Sequence, residues 1–551
     1  MRRFLLLLLA VLGCARAVKV AIVGGGIGAA STALHLRELI PDDLDIDVFE
    51  QSDRVGGRAF SLDIDGHTIE MGASIFHEDN VLVTKMAKLS NLTPNAPQGS
   101  SQTASGDDLF ALFDGTSLIF RQSPWRIITL IKLLWRYGLQ PWYYKTTASN
   151  FLHQFQKIYA LQNNGTCFNR PHELLKKLNF FWLTQMSFVQ YIHDYLHSYS
   201  NFASEFVSAA SITNFNQQNL QLNALAGLVS LLPAVDPRLY SIKEGNQKLA
   251  EGTFAAAKAN LHLNSAVREI TAVVGNRGGS SGGGSAKENK EVESIQKFKI
   301  TVGDCIENNT DTSSPTYDDF YDAVIIATPF HNHPGSSGNG TAGDGGTFLN
   351  ITGVSLPTIP RRNYQMTIVT IIKGALRPTF FGLPPGPMPY NSILVTEEGS
   401  SFLRVPFNSI SKITSTSGFK GLYKIFSKKP MPDTWLSMLF DNGYEVAAYQ
   451  EWAGAYPAFD PPENYPPFQL SQGLYYANAW ENAASAMEMT ALGGRNVALL
   501  AAQHLSNTKI SSNDVSILQR GHSSEDKSID VSLHMGTTRV FKESTAAAAA
   551  A

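Results

Sequence analysis

The chain has 551 residues, of which 43% are hydrophobic and 17% charged, so it is long enough for two or more domains with a large core. Its 44 Lys and Arg against 47 Asp and Glu give a formal net charge of −3, spread along the chain without a basic block. This balance gives no electrostatic basis for a nucleic-acid partner, and none is expected.

The N-terminus has the pattern of a secretory signal peptide. Two arginines precede an apolar run from Phe4 to Leu12, and an A-x-A cleavage site ends at Ala17. A transmembrane anchor is the weaker alternative, because this run is too short to cross ~30 Å of hydrocarbon. We therefore predict that residues 1–17 are removed and that the mature chain enters the secretory pathway. The lysosome or vacuole is the expected destination, with secretion as the alternative.

The first residues of the mature chain predict a βαβ unit. Lys19 to Val23 is a β-branched strand, Ser31 to Leu39 has helical character, and Leu44 to Glu50 alternates apolar residues as a second strand. A unit of about 30 residues in this order is typical of a Rossmann-type α/β domain.

A glycine fingerprint joins the first strand to the helix. Gly24 permits a tight turn, Gly26 lets the backbone approach a pyrophosphate, and Ala29 is small enough for close packing of helix on strand. Ile27 and Gly28 lie between them, at a helix N-terminus that offers unpaired N–H groups to phosphates.

Glu50 ends the second strand, 21 residues beyond Ala29. A carboxylate there accepts hydrogen bonds from ribose hydroxyls and repels a 2′-phosphate. Together with the fingerprint it predicts a dinucleotide site, without separating NAD from FAD.

The stretch "EQSDRVGGR", Glu50 to Arg58, resembles the segment that follows this unit in FAD-dependent amine oxidases and their relatives. The resemblance implies that Gly57 passes close to the cofactor and that Arg58 is a counter-charge near its pyrophosphate. A surface arginine is the alternative. "VIIATP" and "GLYYANAWENAASAMEM" resemble later cofactor-binding segments, with Asn478 where many amine oxidases have Asp.

As a whole, the chain resembles the prenylcysteine oxidases, also called prenylcysteine or farnesylcysteine lyases. The resemblance covers roughly Val18 to Leu505 and is carried by "EMGASIFHEDN", "YANAWENAASAMEM" and the "AYP…YPPF" region. It implies FAD as the cofactor. Neither Cys167 nor Cys305 lies in a motif for covalent flavin attachment, so we expect the FAD to be bound non-covalently. The FAD-binding residues that it implies are Gly24, Gly26, Ile27, Gly28, Ala29, Glu50, Gln51, Gly57, Arg58, Gly72, Ala73, Ser74, Val267 (against the adenine), Thr328, Asn478 and Glu481.

The implied activity is oxidative cleavage of a farnesyl- or geranylgeranyl-cysteine thioether with O2 and water, giving cysteine, a prenyl aldehyde and hydrogen peroxide. FAD carries the electron chemistry, and the protein binds and orients the substrate. The implied fold class is α/β, with a Rossmann-type FAD-binding domain that is discontinuous in sequence and a mixed α+β substrate domain. The expected parts are a signal peptide (1–17), an FAD-binding domain (18–95, 236–346 and 470–511), a helix-rich then β-rich substrate domain (96–235 and 347–469), a disordered loop (275–291) and a flexible polar tail (512–551).

Two alternatives remain open. A luminal amine oxidase of the polyamine type would need an acidic substrate funnel, and we see no strong acidic run near the segments proposed for a tunnel. A prenyl-binding carrier without catalysis, like the GDP-dissociation inhibitors, would share the fold and dispense with flavin. The signal peptide and the FAD motifs argue against the carrier.

The catalytic residues are less clear than the cofactor site. His77 follows "GASIF" and could help deprotonate the attacking water, with a structural histidine as the alternative. His193 and His197 stand four apart on a predicted helix, but no third ligand is apparent and no metal is expected. Cys167 and Cys305 allow one disulfide or none.

Several segments admit both a functional and a structural interpretation. Phe180–Phe188 and Pro378–Tyr390 could line a substrate tunnel or belong to the core. The helix predicted in "SPWRIITLIKLLWRYG" has a cationic face with Arg126 and Arg136, and could touch a membrane, gate the tunnel or pack on the core. The N-x-S/T sequons, which fit a glycosylated luminal protein, are at Asn91, Asn164, Asn308, Asn339 and Asn350.

Overall fold

A computed structural model describes residues 17–520 except 42, 96–108, 199–200, 237, 276–294, 304–315, 332–346, 360, 397–404 and 416–420. Residues 1–16 of the expected signal peptide, the Gly/Ser-rich segments beyond Gly275, Cys305 and the sequons at Asn308 and Asn339 lie outside the described residues. The chain divides into one unit from Met1 to Leu505 and another from Ser506 to Ala551, whose described residues are helical.

The strands in chain order are β1 (Val18–Val23), β2 (Leu44–Phe49), β3 (Ser61–Ile64), β4 (His67–Glu70), β5 (Phe76–His77), β6 (Pro94–Asn95), β7 (Phe110–Phe113), β8 (Leu118–Arg121), β9 (Leu239–Ile242), β10 (Asn260–His262), β11 (Ala266–Gly275), β12 (Ile295–Gly303), β13 (Thr316–Tyr321), β14 (Ala323–Ile326), β15 (Phe330–His331), β16 (Thr347–Phe348), β17 (Asn350–Thr352), β18 (Tyr364–Gly374), β19 (Ser392–Val395), β20 (Ser409–Ser415), β21 (Gly421–Ser427), β22 (Glu445–Pro457), β23 (Gln469–Ser471) and β24 (Leu474–Tyr476).

The α-helices are α1 (Ile27–Leu39), α2 (Val81–Leu89), α3 (Arg126–Tyr137), α4 (Gln140–Phe155), α5 (Lys157–Asn163), α6 (Pro171–Lys177), α7 (Phe188–Asp194), α8 (Ser208–Phe215), α9 (Ala224–Val235), α10 (Gln247–Ala257), α11 (Asp433–Leu439) and α12 (Met487–Arg520). Short 3-10 segments run over Phe181–Gln185 and Pro378–Phe381, and a π-helical segment over Phe202–Val207 precedes α8.

A six-stranded sheet carries the dinucleotide fingerprint. Its order is β10-β2-β1-β14-β24-β23, parallel except for the β23 edge. Strands β1 and β14 are apolar runs, as expected where helices cover both faces of a parallel sheet. Because Val23 pairs with both Phe49 and Ile326, the turns after β1, β2 and β14 meet at one edge. Ligands of open α/β sheets bind at this carboxyl edge.

A seven-stranded sheet, in the order β22-β18-β21-β20-β19-β7-β8, forms the centre of a second region with the helices between Arg126 and Val235. It is antiparallel except for the β19–β7 pair. The α/β fold with a discontinuous Rossmann-type domain and a mixed α+β partner is thus confirmed. The expected boundaries of its parts stay a prediction.

Two local features differ from the sequence-based prediction. Strands β7 and β8 lie in the segment expected to be helix-rich, because β7 pairs with β19, far along the chain. Helix α12 runs to Arg520, past the expected start of the tail at 512.

Among the described residues, no helix combines the length and the apolar character needed to cross a bilayer.

Candidate active site

A cavity of about 1,120 Å³ is lined by residues of both large sheets and by helices α8 and α9. The sequence-predicted residues that line it are Gly24, Gly26, Ile27, Gly28, Glu50, Gln51, Gly57, Arg58, Gly72, Ala73, Ser74, Thr328 and Asn478. Residues predicted from five separate segments therefore come together at one site.

The fingerprint glycines differ in what a side chain would meet. Gly24 has a φ of 102°, and an added Cβ would lie 3.2 Å from the carbonyl oxygen of Ala327. An added Cβ on Gly28 would lie 2.6 Å from Thr490 Cγ2, so this glycine lets α1 approach α12. At Gly26 no atom lies within 4 Å of the Cβ position. The open space at Gly26 is where a pyrophosphate can reach the backbone.

The N-terminus of α1 opens at this space. Gly26 precedes the helix in an extended conformation, and no described side chain caps the first N–H groups. Uncapped donors and the positive end of the helix dipole form an anion site. This geometry fits the phosphates of a dinucleotide.

Glu50 secures the glycine turn as well as facing the cavity. Its Oε2 accepts a hydrogen bond from the N–H of Gly25 over 2.6 Å, and its Oε1 accepts from the N–H and hydroxyl of Ser52. A carboxylate has about four lone-pair sites, so Glu50 keeps acceptor capacity for ribose hydroxyls.

Arg58 has a partner that the sequence did not predict. Its guanidinium lies 2.5 Å from Glu481 Oε1 and also donates to the carbonyl oxygen of Ala455. Glu481 Oε2 accepts from the hydroxyl of Tyr364 over 3.1 Å, and burial together with Glu481 raises the pKa of that phenol well above its usual value. Because a carboxylate already balances its charge, a role for Arg58 beside a pyrophosphate stays a prediction.

Two buried polar atoms in the cavity wall lack a hydrogen-bond partner among the described residues. They are Asn478 Oδ1 and Thr213 Oγ1. Leaving a buried acceptor unpaired costs about 1–3 kcal/mol, so both mark contact points for a polar ligand. Asn478 lies near Gly28, on a segment that the family resemblance predicts to bind the cofactor.

Three predicted cofactor residues do not line the cavity. Ala29 is fully buried, consistent with its predicted packing role. Val267 is buried at a bulge in β11. Two residues before it, the N–H of Ser265 donates a hydrogen bond to the carbonyl oxygen of Glu50. Glu481 acts through Arg58.

His77 is not among the residues that line the cavity, so its catalytic role stays a prediction. Its Nδ1 accepts from the N–H of Asp79 over 3.1 Å, and its Nε2 lies 3.2 Å from Asp236 Oδ2. Arg238 bridges the same two aspartates. The ring lies beside the ion pairs of Arg238 with Asp79 and Asp236, a position that the structural alternative also predicts.

A buried lysine that sequence reasoning missed lies in the cavity wall. Lys424 Nζ, on β21, donates to Ser74 Oγ over 2.7 Å and to the carbonyl oxygen of Glu70 over 2.5 Å. Burial lowers the pKa of Lys424 to about 8 and raises the pKa of Glu70 to about 7. The available signal was a single lysine inside the apolar strand "GLYKIFS".

Aromatic side chains form the remaining wall, but not those of the segments proposed for a tunnel. Phe215, Phe426, Trp452 and Tyr456 line the cavity. The Trp452 indole donates to the carbonyl oxygen of Met71, which fixes the ring. Within Phe180–Phe188 and Pro378–Tyr390, the buried rings belong to hydrophobic clusters, as the core interpretation predicts.

The described residues hold no group of three His, Cys, Asp or Glu side chains suited to a metal ion. Helix α7 ends at Asp194, so His197 does not continue the face of His193. Cys167 is a free thiol that contacts Gln503, and its pKa is raised by burial.

Comparisons with known proteins agree with this geometry. A family model described as prenylcysteine lyase matches residues 120–514, and a model of an NAD(P)-binding Rossmann-like domain matches residues 22–88. The chain is 32% identical over 498 residues to prenylcysteine oxidase 1 of Rattus norvegicus, covering 88% of each protein. It is 28% identical over 494 residues to the Homo sapiens protein called prenylcysteine oxidase 1-like, covering 88% of this chain and 90% of that one.

Among solved structures, a CLA-producing fatty acid isomerase from P. acnes aligns with a TM-score of 0.50 at 11% identity. The alignment covers 88% of this chain and 99% of the isomerase. This similarity concerns the fold alone.

Proposed function

Because this chain belongs to the prenylcysteine lyase family, we propose that it is an FAD-dependent oxidase that cleaves the thioether of a prenylcysteine. The substrate is farnesyl- or geranylgeranyl-cysteine. One molecule of substrate, O2 and water gives one cysteine, one prenyl aldehyde and one hydrogen peroxide. The reaction serves the degradation of prenylated proteins.

The observation that carries the proposal is a single cavity with two chemically distinct halves. One half has the glycine turn, Glu50 and the uncapped end of α1, and the other has apolar and aromatic side chains such as Phe215, Phe426 and Trp452. Its volume of about 1,120 Å³ exceeds the ~300–1,000 Å³ of most ligand sites. A dinucleotide and a prenyl chain can therefore lie in it together.

FAD supplies the two-electron oxidation and the reaction with oxygen when it is bound. In this chain the backbone at Gly26 and the first turn of α1 would hold the pyrophosphate, Glu50 a ribose, and Asn478 the hydroxyls of the ribityl chain. Their geometry fits FAD, because each presents an open donor or acceptor to the cavity.

The protein's own side chains have three tasks. The aromatic wall binds the prenyl chain and keeps bulk water from its apolar surface. The Arg58–Glu481–Tyr364 network fixes the wall that joins the two halves of the cavity. Lys424 Nζ holds a proton beside Ser74. Ser74 belongs to a segment that the family resemblance places near the cofactor, and the contact with Lys424 keeps that segment in place.

The charges of the cavity disfavour a polyamine substrate. The acidic lining residues are Glu50 and Glu70, and the basic lining residues are Arg54, Arg58, Lys243, Lys412 and Lys424. A polycation would be repelled by this balance, whereas the pyrophosphate of FAD and the carboxylate of cysteine would be attracted. The intact dinucleotide half also disfavours a carrier without flavin.

The compartment is part of the proposal. We place the mature enzyme in the lumen of the secretory pathway, with the lysosome or vacuole as its site of action. Support comes from the signal-peptide pattern and from the described sequons at Asn91, Asn164 and Asn350, whose side chains are exposed. N-terminal sequencing of the protein from its own cells should begin at Val18, and glycosidase treatment should lower its mass.

Product stoichiometry tests the proposed reaction. The purified holoenzyme is incubated with farnesylcysteine and with spermine in separate reactions, and aldehyde, free thiol and peroxide are measured. We expect equal amounts of the three products from farnesylcysteine and none from spermine. Peroxide from spermine without thiol from farnesylcysteine would replace the proposal with an amine oxidase.

A further inference from the structure

Helix α3 presents its apolar side away from the protein. Ile127, Ile131 and Trp135 are 73%, 60% and 87% exposed, although they lie on one helical face. The opposite face carries Thr129 and Arg136, which point toward the protein. An ordinary surface helix has the reverse arrangement.

A buried ion pair fixes this orientation. Arg136 donates two hydrogen bonds to Glu205, over 2.8 and 2.6 Å, and the hydroxyl of Tyr137 donates a third over 2.7 Å. The Glu205 carboxylate is fully buried, so losing this contact would leave an unpaired charge. Helix α3 therefore cannot turn its apolar face inward without a large cost.

The apolar surface continues into the start of α4. Of the 24 exposed large hydrophobic side chains among the described residues, ten lie between residues 125 and 143. They are Trp125, Ile127, Ile128, Leu130, Ile131, Leu134, Trp135, Leu139, Trp142 and Tyr143. We call this set the α3–α4 surface. So large a cluster marks an interaction site.

The charged side chains of the segment that carries this surface have one sign. The stretch from residue 115 to residue 172 contains seven Lys and Arg and no Asp or Glu. Six of these cations are exposed, namely Arg121, Arg126, Lys132, Lys145, Lys157 and Arg170. A binding partner must therefore have an apolar interior that accepts these side chains and negatively charged groups at its surface.

We propose that the α3–α4 surface docks the protein on an anionic lipid bilayer. Tryptophan and tyrosine side chains favour the membrane interface, and flanking cations attract acidic headgroups. A second copy of this chain would bring two basic rims together, so self-association is disfavoured. Helix α3 has 12 residues, about 18 Å at 1.5 Å per residue, and lies in the interface rather than across it.

Docking would connect the bilayer to the substrate cavity. Helix α4 packs against α9, and Val229 and Pro233 of α9 line the cavity. This connection rests on the proposed function, because a prenylcysteine partitions into lipid. The docking itself does not depend on it.

Vesicle sedimentation of the holoenzyme tests the proposal. The vesicles contain phosphatidylcholine alone or phosphatidylcholine with phosphatidylserine. The test variant carries Ile127→Ser, Ile131→Ser and Trp135→Ser. The matched control carries Leu39→Ser, Leu220→Ser and Leu261→Ser, three exposed residues elsewhere on the surface. Flavin absorbance shows that each variant is folded.

We expect binding to phosphatidylserine vesicles that weakens with salt, falls about tenfold or more in the test variant and is unchanged in the control. Equal binding by the test variant, or no binding by the unsubstituted protein, would overturn the proposal. A dimer that the test substitutions abolish, without vesicle binding, would overturn it in favour of self-association. Vesicle binding without any prenylcysteine cleavage would support docking and refute the proposed function alone.

Discussion

Lys424 Nζ lies 2.7 Å from Ser74 Oγ, which joins strand β21 of the seven-stranded sheet to a segment of the dinucleotide-binding half. Lys424 Nζ also donates to the carbonyl oxygen of Glu70, and below a pH of about 8 it does so as the ammonium. Burial holds the pKa of Lys424 near 8, so the charged form is lost as the pH rises through that value.

Replacing this lysine should therefore affect both rate and pH dependence. For Lys424→Met we expect kcat to fall by about tenfold to a hundredfold. In the unsubstituted enzyme kcat should decrease above a pH of about 8, and in the variant this decrease should disappear. Lys373→Met, on the neighbouring strand β18 and exposed, is the control. An unchanged pH profile in Lys424→Met would refute a role for this ammonium.

Gly26 and Gly28 should respond differently to the same substitution. Gly26→Ala adds a methyl group to open space, so the folded apoprotein should keep its stability. The methyl would occupy the approach of the pyrophosphate, and we expect FAD affinity to fall by about tenfold or more. Flavin fluorescence on dilution measures the affinity. Unchanged FAD binding would show that the cofactor does not approach the backbone there.

For Gly28→Ala the expected loss is in the fold itself. The new methyl would lie 2.6 Å from Thr490 Cγ2, which pushes α1 from α12 and should cost about 1–3 kcal/mol of unfolding free energy. Thr490→Ser removes that Cγ2 and should restore part of the loss. Denaturant unfolding of the single and double variants measures both effects. If the losses of unfolding free energy in the two single variants simply add up in the double variant, the contact with Thr490 Cγ2 is not the cause of the destabilisation.

Two buried carboxyl groups predict greater stability at acidic pH. Burial raises the pKa of Glu463 to about 7 and that of Glu488 to about 6, from an ordinary value of 4.5. The folded state therefore binds more protons than the unfolded state between pH 4.5 and 7, and this contribution to stability is lost as the pH rises through that range. Burial lowers the pKa of His35 to about 3, which opposes the effect below pH 6.5.

Glu70, whose pKa is also raised to about 7, adds to the effect, and His504, whose pKa is lowered by burial, opposes it. Since three carboxyl groups oppose two histidines, we expect a higher Tm at pH 5.5 than at pH 7.5. Glu463→Gln should make the dependence shallower, and Glu445→Gln, at an exposed position, should leave it unchanged. Intrinsic fluorescence during heating of the holoenzyme gives the Tm. A Tm that rises steadily from pH 5.5 to pH 7.5 would contradict this prediction.

The dinucleotide half could be predicted from sequence because its signal is local. Gly24 to Ala29 and Glu50 lie within one βαβ unit, where backbone geometry alone fixes which residues meet the ligand. The hydrogen bond from Gly25 to Glu50 also forms within this unit. Each residue type has a physical reason that can be recognised without the rest of the chain.

The substrate half could not be predicted in the same way. Lys424, Trp452 and Tyr456 reach the cavity through strand pairing across the seven-stranded sheet, whose order mixes residues 110–121 with residues 364–457. The sequence around His77 likewise gave no sign of Asp236, which lies far along the chain and contacts its ring. Long-range partners of this kind leave no local pattern.

The most direct test of the account is an absorption spectrum of the purified holoenzyme under anaerobic conditions, before and after adding farnesylcysteine. We predict flavin bands that bleach with the substrate and return, with release of hydrogen peroxide, when air is admitted. Flavin bands that stay oxidised with farnesylcysteine would contradict the proposed substrate, and a folded protein without flavin would contradict the enzyme itself.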